Sequence, residues 1–92
     1  MNWFLFCVTE LYLDDDGELV KPGEYGVGKC SMQPGIMEAP HGTMYVVTAE
    51  YVRDFLGKRR SSNLTAYNVR TAIEAFYFGK EKKEIEYEFV FD

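Results

Sequence analysis

The sequence predicts an α+β fold: a small antiparallel sheet of about four strands, with two helices inserted before the C-terminal strand (β-β-β-α-α-β). Three observations predict it. An apolar run fills most of the first dozen positions, and apolar residues alternate with acidic ones through Glu84–Phe91. Between them lie two stretches with helical spacing and polar caps. Strands and helices come in blocks rather than in regular βαβ alternation, which points to α+β. With 92 residues the chain is expected to form one domain, 1–92.

Asn2–Leu13 reads as one long strand. Phe4, Phe6, Val8 and Tyr12 share one face, and Trp3, Leu5, Cys7, Leu11 and Leu13 share the other. Apolar side chains on both faces imply a central strand, or one covered on both sides. Asp14-Asp15-Asp16-Gly17 breaks it, since Asp-Gly between apolar runs signals a hairpin turn. Glu18–Lys21 begins a return strand, which Pro22 ends or confines to an edge. The next twenty residues hold Pro34, Pro40 and five glycines with only a short strand near Tyr25–Cys30, so 22–42 reads as the irregular part of the chain.

Thr43–Thr48 is β-branched and aromatic, a short strand. Thr48 then caps a helix over Ala49–Leu56, with Glu50 near its positive end and Gly57 closing it. A second helix runs from about Leu64 to Phe78, capped by Asn63 or Thr65 and stopped by Gly79. Ala66, Val69, Ile73 and Phe76 recur at helical spacing and are expected to face the core. In Glu84–Phe91, Ile85, Tyr87, Phe89 and Phe91 alternate with Glu84, Glu86 and Glu88, the pattern of a half-buried strand. This last strand is expected to pair with the first.

Charge is sorted along the chain. Residues 1–57 hold nine acids and three bases. Residues 58–83 hold seven bases and two acids, and 84–92 hold four acids and no base. The formal net charge of −5 therefore averages over opposed segments. Clustered charge steers association more than it sets the fold. Seven tyrosines add the residue type that interfaces favour.

The motifs that suggest chemistry fall short of it. Gly23–Cys30 has the G-x4-G-K spacing of a phosphate loop, but Cys30 stands where magnesium needs a hydroxyl, and Pro34-Gly35 opposes the helix that should follow. Asp14–Gly17 has part of a calcium-loop pattern, yet Tyr12 and Gly23 occupy its first and last ligand positions. Cys7, Cys30 and His41 lack paired ligand spacing, and nothing singles out Cys30 and His41 as a nucleophile–base pair. No catalytic, cofactor or metal residue is therefore assigned, and the protein is not expected to be an enzyme. Two cysteines are too few for a disulfide scaffold and are expected to be reduced thiols. Met1–Val8 lacks the basic start of a signal peptide, and no run approaches the roughly 20 apolar residues of a membrane span, so the expected location is cytoplasmic.

What remains is binding. The expected function is a small non-catalytic interaction domain, an inhibitor or adaptor of a larger protein. Its expected binding residues are Glu84, Glu86, Glu88, Asp14, Asp15, Asp16 and Tyr67. Small inhibitory proteins encoded by viruses of bacteria share this general profile, an analogy of composition alone. The alternative is a nucleic-acid-binding regulator using Lys58, Arg59, Arg60 and Arg70, since three cations with small polar donors before a helix N-terminus suit phosphate. A third class would self-associate through the aromatic N-terminal strand.

Overall fold

Apolar residues on both faces put strand β1 (Asn2–Val8) in the middle of the sheet. The structure, a computed structural model, describes residues 1–58, 65–79 and 89–91, with backbone alone for 58 and 89–91. One edge of β1 pairs antiparallel with β6 (Gly42–Thr48), and the other with β4 (Tyr25–Cys30). β5 (Gly35–Ala39) extends the sheet beyond β6 as a hairpin. β7 (Phe89–Phe91) extends it beyond β4, in parallel. The order across the sheet is β5-β6-β1-β4-β7. A separate two-stranded ribbon joins β2 (Tyr12–Leu13) to β3 (Leu19–Val20).

The α+β class and the placing of both helices before the last strand match the sequence. Three details differ. Six strands precede the helices rather than three. The last strand pairs with β4, because β1 already has a partner on each edge. The expected long first strand ends at Val8. There Thr9 and Glu10 both donate their amides to the His41 carbonyl, at 2.9 and 3.3 Å, and the chain leaves the sheet.

The segment read as irregular holds the short strand expected at Tyr25–Cys30, as β4, and a second, unexpected one, β5. In β4, Tyr25 and Val27 point to one face while Gly26 and Gly28 lie opposite Phe6 and Phe4. A Cβ on Gly28 would stand 2.8 Å from the Phe4 ring, so the missing side chain is where that ring lies. Gly42 marks a closer approach. A Cβ there would meet the Cys7 carbonyl oxygen at 2.1 Å and the Phe6 ring at 2.6 Å. Gly42→Ala is expected to destabilise by about 1–3 kcal/mol, as overpacked sites do. A thermal melt checks this, because an unchanged midpoint would mean that β1 and β6 can part at no cost.

Helix α1 (Ala49–Lys58) begins where the Tyr51 amide donates to the Thr48 hydroxyl at 3.0 Å. It runs through Gly57, which therefore does not close it. Helix α2 (Ala66–Tyr77) is capped by Thr65, whose hydroxyl accepts from the Asn68 amide at 3.2 Å. Gly79, at φ +77°, follows its end. Val52 and Leu56 of α1 and Val69, Ala72 and Ile73 of α2 bury against Leu5, Cys7, Tyr25, Val27 and Val47 of the sheet. The opposite sheet face packs Phe6 and Val8 with Val20 of the ribbon, and Phe4 and Tyr12 join at its margin.

Val69 and Ile73 are core, as their spacing implies, but Phe76 is 55% exposed. The buried row continues from 69 through 73 to Tyr77, whose hydroxyl donates to the Val46 carbonyl. Phe76 flanks that row with its ring edge on Tyr51, 4.9 Å between centroids. Phe4 is half-buried, and the expected burial of Phe89 and Phe91 lies outside the described side chains. Among the described residues, no helix is long and apolar enough to cross a membrane.

Candidate functional site

The β2–β3 ribbon brings Asp14, Asp15 and Asp16, three of the acidic residues named from the sequence, together with a set of leucines that were not named. Pairing sets Tyr12 against Val20 and Leu13 against Leu19. Successive side chains on a strand alternate in direction. Tyr12 and Val20 turn in toward Phe6 and Val8. Leu13 and Leu19 therefore turn out, and they are 67% and 50% exposed. Leu11, two residues before Leu13, is 59% exposed.

The turn between the strands is built by Asp14. One carboxylate oxygen accepts from the amides of Asp16 and Glu18, both at 2.9 Å. The Asp14 amide donates to the Glu18 carbonyl, and the Gly17 amide donates to the Asp14 carbonyl, each at 3.0 Å. Gly17 sits at φ +79°, where a side chain would strain the turn. Asp14 is thus committed to structure, while Asp15, Asp16 and Glu18 remain on the exposed surface. Residues 10–24 hold six carboxylates and one lysine.

The ribbon is anchored at its base. Pro40-His41 forms the two-residue connection of the β5–β6 hairpin, with His41 at φ +68°, a conformation uncommon outside glycine. The His41 ring stacks on Tyr12, with centroids 4.3 Å apart and planes 7° apart. Its Nδ1 lies 2.8 Å from a Glu10 carboxylate oxygen. The His41 carbonyl also receives the Thr9 and Glu10 amides. One residue thereby fixes the start of the ribbon through its backbone carbonyl, a side-chain hydrogen bond and a stacked ring. On the return side, the Gly23 amide donates to the Val8 carbonyl and the Val8 amide to the Glu24 carbonyl, each at 3.0 Å. The Tyr12 phenol is shifted above its ordinary range, first by burial and then by the charges of Asp14, Glu24 and Asp15. The ribbon's field is negative.

Of the other expected site residues, Tyr67 and Arg70 have described side chains. Tyr67 is exposed on α2, with the Arg70 guanidinium carbon 5.2 Å from its ring centroid. Arg70 is not on the open surface expected of a phosphate contact. It is 8% exposed, next to core residue Val69, and its Nε lies 3.8 Å from Glu74. The side chain of Lys58, and Arg59, Arg60, Glu84, Glu86 and Glu88 altogether, lie outside the described residues.

Cys7 and Cys30 are free thiols. Cys30 pairs with Asn2, at the far end of β1 from Cys7. Five strand residues separate the two positions by roughly 17 Å. His41 lies beside the Val8 end, so neither a shared metal set nor a Cys30–His41 pair forms. Burial pushes the Cys7 thiol up to about 12; a Tyr25 hydrogen bond opposes this and the nearby Glu74 adds to it. Among the described residues, no three His, Cys, Asp or Glu side chains are placed to hold a metal ion. All but the first two residues of the G-x4-G-K segment form strand β4, and Lys29 lies over the Trp3 ring, 5.4 Å from its centroid.

Comparison with protein-family models, with curated proteins and with solved structures finds no match for the chain.

The exposed leucines were legible in part. Once Asp14–Gly17 is taken as the turn, Leu13 and Leu19 fall at matching positions around it. Their direction is set by the chain leaving the sheet at Thr9, and no local pattern marks that departure.

Proposed function

We propose that this protein is a small non-catalytic interaction domain, an inhibitor or adaptor that docks on a larger protein through its acidic ribbon. The observation that carries this reading is the outward face of Leu11, Leu13 and Leu19, bordered by exposed Asp15, Asp16 and Glu18. Scattered single leucines on a surface need no explanation, whereas three on one short ribbon form a patch of the kind that marks interaction sites. An apolar centre with a charged rim is the general anatomy of a protein interface. The clamp by His41 holds this face in one orientation, which lowers the ordering cost of binding.

Affinity capture from nuclease-treated lysate tests the reading with three proteins. The wild type is expected to retain a protein partner. The Leu13→Ser/Leu19→Ser variant is expected to lose it while keeping its circular dichroism and melting midpoint. The Lys58→Ala/Arg59→Ala/Arg60→Ala variant is expected to retain it. Loss in the basic variant with retention in the leucine variant would favour the nucleic-acid alternative and remove this one.

A further inference from the structure

We infer that the occupant of the ribbon face is an amphipathic helix of a partner protein, apolar on one side and flanked by lysine or arginine. This rests on the docking reading above and adds the chemistry of the partner. Cross-strand neighbours stand about 5 Å apart, and same-face residues along a strand about 7 Å apart. Leu13, Leu19 and Leu11 therefore offer apolar positions at the spacing at which a helix presents its i, i+4 side chains, about 6 Å. An added strand fits less well, because β2 and β3 are two residues each and offer little backbone to pair.

Charge complementarity sets the sign of the partner. Asp15, Asp16 and Glu18 are the exposed carboxylates beside the leucines, and Lys21 is the one lysine or arginine within residues 10–24. An acidic or neutral helix would desolvate these carboxylates without compensation, and an anionic membrane surface would be repelled. A cationic flank placed against Asp15, Asp16 and Glu18 is attracted at long range and fixes the register of the leucines.

Three model helical peptides of about four turns test this against the 15N-labelled protein. One is amphipathic in leucine and lysine, one in leucine and glutamate, and one replaces leucine by alanine and keeps lysine. Only the leucine–lysine peptide is expected to bind with amide shifts confined to residues 10–21. Its affinity should weaken as salt rises toward physiological strength. Leu13→Ser/Leu19→Ser should cost at least about tenfold in affinity. Asp15→Asn/Asp16→Asn should flatten the salt dependence while leaving the fold, read from the same spectra, unchanged. Equal binding of the leucine–glutamate peptide, or of the alanine–lysine peptide, overturns the inference. So does binding to phosphatidylcholine vesicles in preference to the peptide. So does a concentration-dependent dimer that Leu13→Ser/Leu19→Ser abolishes, which would give the face to a second copy of the chain. If no peptide binds but the leucine variant still loses its captured partner, the partner class is wrong and the docking reading stands. If the leucine variant also keeps its partner, both fall.

Discussion

Leu5→Ala is expected to remove about 2–5 kcal/mol of folding stability, the range for a large buried aliphatic truncated to alanine. Leu5 is fully buried at the centre of β1, with Val27 and Tyr45 as its partners on the two flanking strands. Its side chain belongs to the cluster that also holds Val52, Leu56, Val69 and Ile73, so one truncation opens space beneath both helices. A chain of this length has roughly 5–14 kcal/mol in total. The variant should therefore unfold at a much lower urea concentration, with the slope of the transition unchanged. Phe76→Ala is the internal comparison. Its ring was expected in the core from helical spacing, but it lies on the flank of α2 and is more than half exposed. Its loss should cost less, about 1–2 kcal/mol, the scale of edge contacts with Tyr51 and Tyr77 plus partial burial. Equal losses for Leu5 and Phe76 would mean that the helices do not cover the sheet as described.

Patterns that depend only on neighbours in sequence were legible. Thr48 and Thr65 cap helices because a hydroxyl before an apolar period satisfies amides that the helix leaves open. Asp14-Asp15-Asp16-Gly17 makes a turn because Asp14 bonds amides two and four residues on, and Gly17 takes the positive φ. Patterns that depend on distant partners were legible only in part: the short strand at Tyr25–Cys30 was expected, and β5 was not. Gly26 and Gly28 weaken a strand in isolation, yet they pair with Phe6 and Phe4, and the Phe4 ring occupies the space over Gly28. Their alternation with Tyr25 and Val27 was the available signal. β7 joins β4 because both edges of β1 are taken, a global constraint that no window of residues contains.

The candidate site divides in the same way. Its acidic half followed from composition and turn chemistry. Its apolar half required knowing that Tyr12 and Val20, not Leu13 and Leu19, face Phe6 and Val8. A one-residue change of register would exchange these sets. The His41 clamp settles the register through contacts thirty residues apart in sequence, between Glu10 or Tyr12 and His41. Arg70 shows the converse. Its charge placed it with the basic group, but its helix position turns it toward Glu74 and the interior.

Glu74 should make folding stability depend on pH near neutrality, and in the direction opposite to most carboxylates. The side chain is 7% exposed on α2, and its Oε2 has no hydrogen-bond partner among the described residues. Burial pushes its carboxyl up to about 7, with Arg70 at 3.8 Å pulling the other way without cancelling the shift. Cys7 from β1 lies near enough for the Glu74 charge to act on its thiol. The folded carboxyl thus holds its proton more tightly than the unfolded one, whose ordinary value is 4.5. Stabilisation from this proton is complete below about 4.5 and is lost as pH rises through about 7. The difference corresponds to about 3 kcal/mol across that window. Glu74→Gln keeps the shape and removes the ionisation. It should be more stable than the wild type at pH 8, by up to that amount, and the two should converge toward pH 5. Subtracting the two urea-derived stability curves cancels the many surface carboxylates common to both proteins. A difference curve that is flat from pH 5 to 8 would place Glu74 in water and remove the buried Arg70–Glu74 pair from the description of α2. A curve of opposite slope would mean that Arg70 dominates and holds the carboxylate charged.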